Sequence, residues 1–127
     1  MPSFTFRVPG IPGREHSPNA RLHWGDKSRA KKQMRTDWGY AIAEARGAQR
    51  VFADPVFDGP VRMTVSIYYP KGRKFADKDN VVASIKAGID ATEDAGLVIN
   101  DAQIDAPVIV QLRTNQLVGY TVVEMEG

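Results

Sequence analysis

The chain has 127 residues, of which 43% are hydrophobic and 25% charged, and it contains no cysteine. These values are typical of globular proteins, and a single domain spanning residues 1–127 is the simplest expectation. The absence of cysteine excludes disulfides and thiolate metal sites. No apolar run approaches the ~20 residues of a membrane span, and the N-terminal residues lack the pattern of a signal peptide. We therefore expect a cytoplasmic protein without membrane association.

The net charge of +2 conceals an asymmetry along the chain. Residues 1–50 hold ten Lys/Arg and four Asp/Glu, whereas residues 51–127 hold seven and eleven. A basic half beside an acidic cluster suits a protein that binds a polyanion and coordinates cations. The alternative is that these charges are ordinary solvated surface.

The N-terminal part of the chain predicts one strand and a long connection. Residues 3–8 alternate apolar and polar side chains, as a strand does. Residues 9–27 contain the turn signals PGIPG and SPN, so they are expected to form a loop. Arg21 lies in this loop among histidines and a tryptophan, a combination that can contact phosphates and bases. Such a loop can be a DNA contact or merely mobile.

A long helix is predicted from about residue 29 to residue 50, with Ser28 as its N-cap. Met34, Trp38, Ile42 and Ala45 recur at helical spacing and would face the core. Basic residues crowd its first turns, where they oppose the helix dipole, so local helix stability does not explain them. We expect these residues to contact DNA phosphates: Lys27, Arg29, Lys31, Lys32 and Arg35.

Three further strands complete the predicted fold. Residues 61–69 alternate apolar and polar side chains without interruption, which is typical of a half-buried strand. Residues 104–111, with Pro107 at an edge or bulge, and residues 118–125 are expected to form a hairpin. The elements together predict an α/β protein of the α+β type, with a small mixed sheet of about four strands and two main helices.

The segment from residue 71 to residue 103 holds the candidate chemistry. It begins with a cationic loop whose side chains we expect to bind DNA phosphates: Lys71, Arg73 and Lys74. A helix is predicted to begin near residue 81, capped by Asn80 or Asp79 and ended by Gly96. Lys86 lies seven residues after Asp79 and four before Asp90, so these three fall near one helix face.

Several carboxylates of this segment could meet in the folded chain: Asp77, Asp79, Asp90 and Asp101. Clustered carboxylates stay ionised when a cation lies between them, and oxygen ligands without cysteine favour Mg²⁺ or Mn²⁺. With Lys86 to neutralise charge at phosphorus, these groups suit metal-assisted phosphodiester hydrolysis. The alternative is structural, because Asp-x-Asp often caps a helix and Lys86 with Asp90 is an ordinary surface pair.

Other chemistries are poorly supported. His16 and His23 do not form an HExxH zinc motif. The sequence also lacks a glycine-rich phosphate loop and a serine nucleophile elbow. A metal-dependent site built from carboxylates is therefore the best-supported enzymatic reading.

The order of residues in this segment resembles the signature of the RusA Holliday-junction resolvases. The matching residues are Asp77-Lys-Asp79-Asn80, then Lys86 and Asp90, then Asp94-Ala-Gly-Leu-Val-Ile-Asn-Asp101-Ala-Gln103. Two positions depart from the family pattern. Lys86 lies seven residues after Asp79 rather than four, and Asn100 stands where an acid often precedes the last aspartate.

The resemblance implies a small α/β nuclease, encoded by a bacterium or a phage, that acts as a homodimer. It implies Mg²⁺-dependent paired nicking of branched DNA at four-way junctions, with Mn²⁺ as a possible substitute. By motif position, Asp77, Asp79 and Asp101 would bind the metal and Lys86 would be the catalytic lysine. Two alternatives stay open: a DNA-binding protein that keeps the fold but does not cut, and a small interaction domain with an incidental acidic loop.

Overall fold

The computed structural model describes residues 2–13 and 24–127, and its elements form a four-stranded sheet with helices in one small domain of mixed α/β class. The expected fold class is therefore confirmed. None of the helices in these described residues is long and apolar enough to cross a membrane. The elements, in chain order, are β1 (Ser3–Pro9), α1 (Trp24–Gln49), β2 (Arg62–Tyr69), α2 (Lys78–Ser84), α3 (Lys86–Asp94), a 3₁₀ turn (Asp101–Gln103), β3 (Val108–Arg113) and β4 (Tyr120–Glu126).

The strand order in the sheet is β1-β4-β2-β3. Strand β2 pairs in parallel with β3 and antiparallel with β4, so that Val65 lies opposite both Ile109 and Val123. Parallel neighbours need a crossover connection, and here α2 and α3 supply it. Helix α2 consequently begins beyond the carboxyl end of β2, and the chain after α3 returns to the amino end of that strand.

The core lies between the sheet and the helices. The alternation predicted for β2 is confirmed, since Met63, Val65, Ile67 and Tyr69 are all buried. The apolar stripe of α1 is also confirmed: Met34, Trp38 and Ile42 are buried, and Ala45 packs against them. The Trp38 ring meets Phe6 of β1 edge-on, with 5.5 Å between ring centroids, so this one side chain ties α1 to the sheet.

Helices α1 and α3 lie unusually close together where Trp38 faces Gly88. A Cβ atom at Gly88 would lie 2.3 Å from Trp38 Cε2, so this position of α3 has room for hydrogen only. Further along, Arg46 of α1 donates a hydrogen bond to the carbonyl oxygen of Ala95 (2.9 Å). Residues 31–35 of α1 line a groove with residues 83–90, and residues 35–46 line the next with residues 91–95. The neighbours thus advance in the same direction along both helices, and α1 and α3 run parallel.

The predicted start of α1 was wrong. The helix begins at Trp24, and Ser28 lies inside it rather than at its N-cap. Asp26 lies in the first turn, where a carboxylate is stabilised by the helix dipole. It also forms an ion pair with Arg29. These interactions support helix before residue 28, which extends the helix by about one turn.

The helix predicted from residue 81 is in fact two helices. Helix α2 begins at Lys78 and is capped by Asp77, so neither Asp79 nor Asn80 is the cap. Ile85 has φ −95° and ψ 6°, which interrupts the helix before α3 begins. The predicted role of Gly96 is confirmed: its φ is +74°, and its N–H donates to the Glu93 carbonyl oxygen (3.1 Å). Such a cap suits glycine because other residues resist positive φ.

The predicted hairpin between the last two strands was wrong. Strand β3 spans Val108–Arg113 rather than 104–111, and it pairs with β2, not with β4. Pro107 has no N–H to contribute to a ladder, and Ile104 forms only an isolated bridge with Val61. The connection after β3 then crosses the end of β2, where the Thr114 N–H donates to the Tyr69 carbonyl oxygen (3.0 Å). Strands β3 and β4 therefore flank β2 on opposite sides.

Candidate metal site and nucleic-acid interface

Asp77 and Asp79 lie together at the N-terminus of α2, and both are exposed. Asp77 Oδ1 accepts a hydrogen bond from the Asp79 N–H (2.9 Å), which is the ordinary geometry of a helix cap. Within the described residues, the Asp79 carboxylate and Asp77 Oδ2 accept no further hydrogen bond from the protein. Three carboxylate oxygens at this helix end are thus available to solvent or to a ligand.

The loop that leads to Asp77 is held in place from strand β3. Gln111 Nε2 donates to the Ala76 carbonyl oxygen (2.5 Å) and to the Tyr69 hydroxyl (3.1 Å). Arg113 donates to the Pro70 carbonyl oxygen (2.8 Å), and its guanidinium lies over the Phe75 ring, 4.6 Å from the centroid. The chain immediately before the two aspartates is therefore fixed by β3.

Sequence reasoning missed Gln111 and Arg113. They occupy alternate positions at the carboxyl end of a strand, where side chains of one face point the same way. This spacing in the sequence indicates that Gln111 and Arg113 lie on the same strand face. It predicts that they hold the loop before Asp77 only when β3 is known to pair with β2. The exposed cations that the anchored loop presents next to the aspartates are Lys71, Arg73 and Lys74.

Asp101 begins the 3₁₀ turn and is half-buried. Gln103 holds this turn together: its Nε2 donates to the carbonyl oxygens of Phe57 (3.0 Å) and Gly59 (2.8 Å). Its Oε1 accepts from the N–H groups of Ile99 (2.7 Å) and Asn100 (3.0 Å). The last residue of the Asp101-Ala-Gln103 motif thus has a structural role, which is to fix the backbone that carries Asp101.

The structure attaches the two acidic segments to opposite ends of β2. The loop before Asp77 is bonded to Tyr69, whereas the turn with Asp101 is bonded to Val61 through the Gln103 carbonyl oxygen (2.8 Å). These two anchor residues are separated by a strand length of roughly 26 Å at about 3.3 Å per residue. In residues 2–13 and 24–127, no three His, Cys, Asp or Glu side chains form a group that could hold a metal ion.

Lys86 lies with the basic residues of α1. It lines a groove together with Lys31, Lys32 and Arg35. Asp90 also lines this groove. In the described part of the chain no ion pair joins Asp90 to Lys86, so the surface pair suggested by their spacing is not formed.

Asp94 has a structural partner in α1. Arg35 donates two hydrogen bonds to its carboxylate, one of them 2.7 Å long from the terminal guanidinium nitrogen to Oδ1. The hydrogen bond from Arg35 and the positive charge of its guanidinium lower the pKa of Asp94 below its ordinary value. The same contact raises the pKa of Arg35. Asp94 therefore supports the packing of α1 on α3.

The remaining predicted DNA contacts lie on the first half of α1, apart from Arg21, which falls outside the described residues. Lys31 and Lys32 are exposed, Lys27 is partly exposed, and Arg29 is paired with Asp26. Lys31, Lys32 and Arg35 line a groove with the end of α2 and the first half of α3. These cations therefore lie beside Lys86.

Comparison with known proteins adds one relative. No family model matches the chain. An uncharacterized protein from Xylella fastidiosa (strain Temecula1) is 37% identical over 99 residues, which are 77% of this chain and 61% of that protein. The match therefore spans less than two thirds of the relative's own length. The chain is similar to a bacterial protein whose description names no activity.

Proposed function

We propose that the chain is a Mg²⁺-dependent, structure-selective endodeoxyribonuclease that nicks four-way DNA junctions in pairs, as RusA resolvases do. The observation that carries the proposal is the exposed Asp77–Asp79 pair at the start of α2, next to an anchored cationic loop. Two carboxylates with free oxygens suit Mg²⁺, which keeps several waters and binds to proteins through one or two carboxylates. Mn²⁺ has the same ligand preference.

In this proposal the residues divide into two roles. Asp77 and Asp79 would hold Mg²⁺, which when bound would activate water and neutralise charge on the reacting phosphate. Lys71, Arg73 and Lys74 would hold the flanking phosphates, because they belong to the same anchored loop. Asp101 enters the set through the resemblance alone, since its turn is attached at the other end of β2.

A homodimer is part of the proposal because a four-way junction has two-fold symmetry. A symmetric dimer presents two copies of the same surface, so two sites could nick opposite strands. The basic first half of α1 would bind the junction arms through their phosphates, and its affinity for them should fall steeply with salt. Action on bacterial or phage DNA would place the protein in the cytoplasm.

The test uses a labelled synthetic four-way junction in Mg²⁺. We expect paired nicks from the wild type and none from Asp77→Asn, because asparagine keeps the helix cap but loses the charge that holds the metal. Glu124→Gln is the matched control and should nick as the wild type does. Glu124 is exposed on β4, where its neighbours Val123 and Met125 face the core, so it points away from the helices. Wild-type protein that binds the junction without nicking it in Mg²⁺ or Mn²⁺ would contradict the proposal.

One observation favours a second function, that of a DNA-binding protein that does not cut. The anchors of Asp77 and Asp101 lie at opposite ends of β2, so one chain does not assemble the full set of carboxylates implied by the resemblance. Under this alternative the aspartates of α2 serve as a cap, and the basic residues alone carry the activity. Junction binding with unchanged affinity in EDTA and no nicks in either metal would support it.

A further inference from the structure

A groove of about 300 Å³ separates the first half of α1 from the segment where α2 meets α3. We call it the α1–α3 groove. Four of its side chains are cationic and one is anionic. Its lining comprises Lys31, Lys32, Arg35, Ala83, Ser84, Lys86, Ala87 and Asp90.

Three of the side chains that line the α1–α3 groove on the side of α2 and α3 are small. Ala83 and Ala87 contribute only methyl groups, and the Ser84 hydroxyl is turned inward to donate to the Val81 carbonyl oxygen (2.9 Å). Long cationic side chains stand on either side. Small side chains beside long basic ones leave room for a chain of phosphates close to the helix backbone.

Lys31, Lys32 and Lys86 form no ion pair within residues 2–13 and 24–127, although Asp90 lines the same groove. Within the described residues no carboxylate lies within ion-pair distance of any of the three, whereas Arg35 is occupied by Asp94. Exposed charges within the Debye length of about 8 Å repel one another at physiological salt. An anion in the groove would relieve that repulsion.

Helix stability does not account for Lys86. Lys86 is the first residue of α3, and a cation at a helix N-terminus opposes the helix dipole. Lys31 and Lys32 lie beyond the first turn of α1, where the helix dipole has little effect on them. A phosphate in the groove would interact favourably with both the lysines and the amino end of α3.

The geometry points to a new role for Lys86: we propose that the α1–α3 groove binds the phosphate backbone of a DNA arm and that Lys86 is one of its phosphate-binding residues. This inference rests on the proposed function, because it takes DNA as the polyanion. It differs from the role implied by the resemblance, in which this lysine acts at the reacting phosphorus.

The test measures binding rather than cleavage. Anisotropy of a fluorescent four-way junction is titrated between 50 and 200 mM KCl in EDTA, for the wild type, Lys86→Gln and Lys31→Gln. The matched control is Arg50→Asn, which removes one charge at the opposite end of α1. Arg50 has φ 55°, a conformation that asparagine accepts readily.

Loss of one phosphate contact lowers the slope of log affinity against log salt by about 0.9. We therefore expect Lys86→Gln to have a shallower slope than the wild type. The ratio of wild-type affinity to variant affinity should be about threefold larger at 50 mM than at 200 mM salt. Lys31→Gln should show the same decrease in slope. Arg50→Asn should keep the wild-type slope.

The proposal would be overturned if log affinity fell with log salt as steeply for Lys86→Gln as for Arg50→Asn. It would also be overturned if the wild type did not bind the junction. Single-turnover nicking separates this result from the fate of the proposed function. If Lys86→Gln has a shallower slope but the wild type never nicks the junction, the result supports DNA binding in the groove and contradicts the proposed nuclease function. If the slope for Lys86→Gln equals that of the wild type but the bound junction is nicked more slowly, the phosphate-binding role of the groove is contradicted. That result would favour the role implied by the resemblance, in which Lys86 acts at the reacting phosphorus.

Discussion

Replacing Gly88 by alanine tests whether the close approach of α1 and α3 determines the stability of the fold. A Cβ atom there would lie 2.3, 2.4 and 2.8 Å from three atoms of the Trp38 indole, so the ring or α3 must move by about 1 Å to restore ordinary contact distances of ~3.5 Å. Overpacking of this kind costs about 1–3 kcal/mol. Alanine in place of glycine in a helix returns about 1 kcal/mol.

The matched control is Gly39→Ala in the middle of α1, where a Cβ atom would meet nothing within 4 Å. This variant should gain about 1 kcal/mol, so the two variants should differ by about 1–3 kcal/mol in the free energy of unfolding. Urea titration followed by circular dichroism measures this difference. Equal midpoints for the two variants would refute the reasoning.

A Trp38→Leu background adds an internal check. The smaller side chain removes the ring atoms that the new Cβ would strike, so Gly88→Ala should be less destabilising there than in the wild type. Residues in direct contact typically show coupling of 0.5–3 kcal/mol in such double-mutant cycles. If the effects of Gly88→Ala and Trp38→Leu are additive, the contact with the Trp38 ring is not the reason why alanine at position 88 is destabilising.

Three further predictions concern the segments that carry the aspartates. Asp77→Ala should cost about 1 kcal/mol through loss of the α2 cap, whereas Asp77→Asn should unfold in urea like the wild type. Gln103→Ala should cost about 2–3 kcal/mol, because it leaves backbone groups of the 3₁₀ turn unsatisfied; exposed Gln116→Ala should cost far less in the same urea titration. The Arg35–Asp94 pair should lose its contribution to stability as pH falls below about 3.8, the unperturbed value for aspartate.

The sign of the last prediction follows from the direction of the pKa shift. The pKa of Asp94 is lower in the folded state than in the unfolded state, so the stabilisation is fully present above the unfolded value and disappears as the carboxylate is protonated. Asp94→Asn should therefore flatten the dependence of the urea midpoint on pH between about 2 and 5, where aspartates titrate. An Asp94→Asn profile parallel to that of the wild type would contradict this reading of the pair.

Local patterns were predictable because their causes are local. The alternation in β2 follows from burial of one strand face, and Gly96 ends α3 because the turn there needs a positive φ. The pairing of β3 with β2 could not be predicted in this way. It depends on a crossover of some forty residues, and nothing in the sequence of Val108–Arg113 indicates which strand it pairs with.

The candidate site shows the same division. The cap geometry of Asp77 belongs to its own helix end and is close to what an Asp-x-Asp pattern indicates. The neighbours of Lys86 are set by the parallel packing of α1 on α3, which depends on Gly88 and Trp38 fifty positions apart in the sequence. Spacing placed Lys86 on one helix face with Asp79, but the interruption at Ile85 changes that face.

The strand order also determines when the sheet can form. β4 follows the other three strands in the chain, yet it lies between β1 and β2, and Phe4 pairs with Met125. Pairing over such sequence separations is slow because the entropy of closing the loop is lost before any contact is gained. During synthesis, β1 has no partner strand until residues 120–126 leave the ribosome. Until then β1 and one side of β2 expose unpaired edges, which are prone to association.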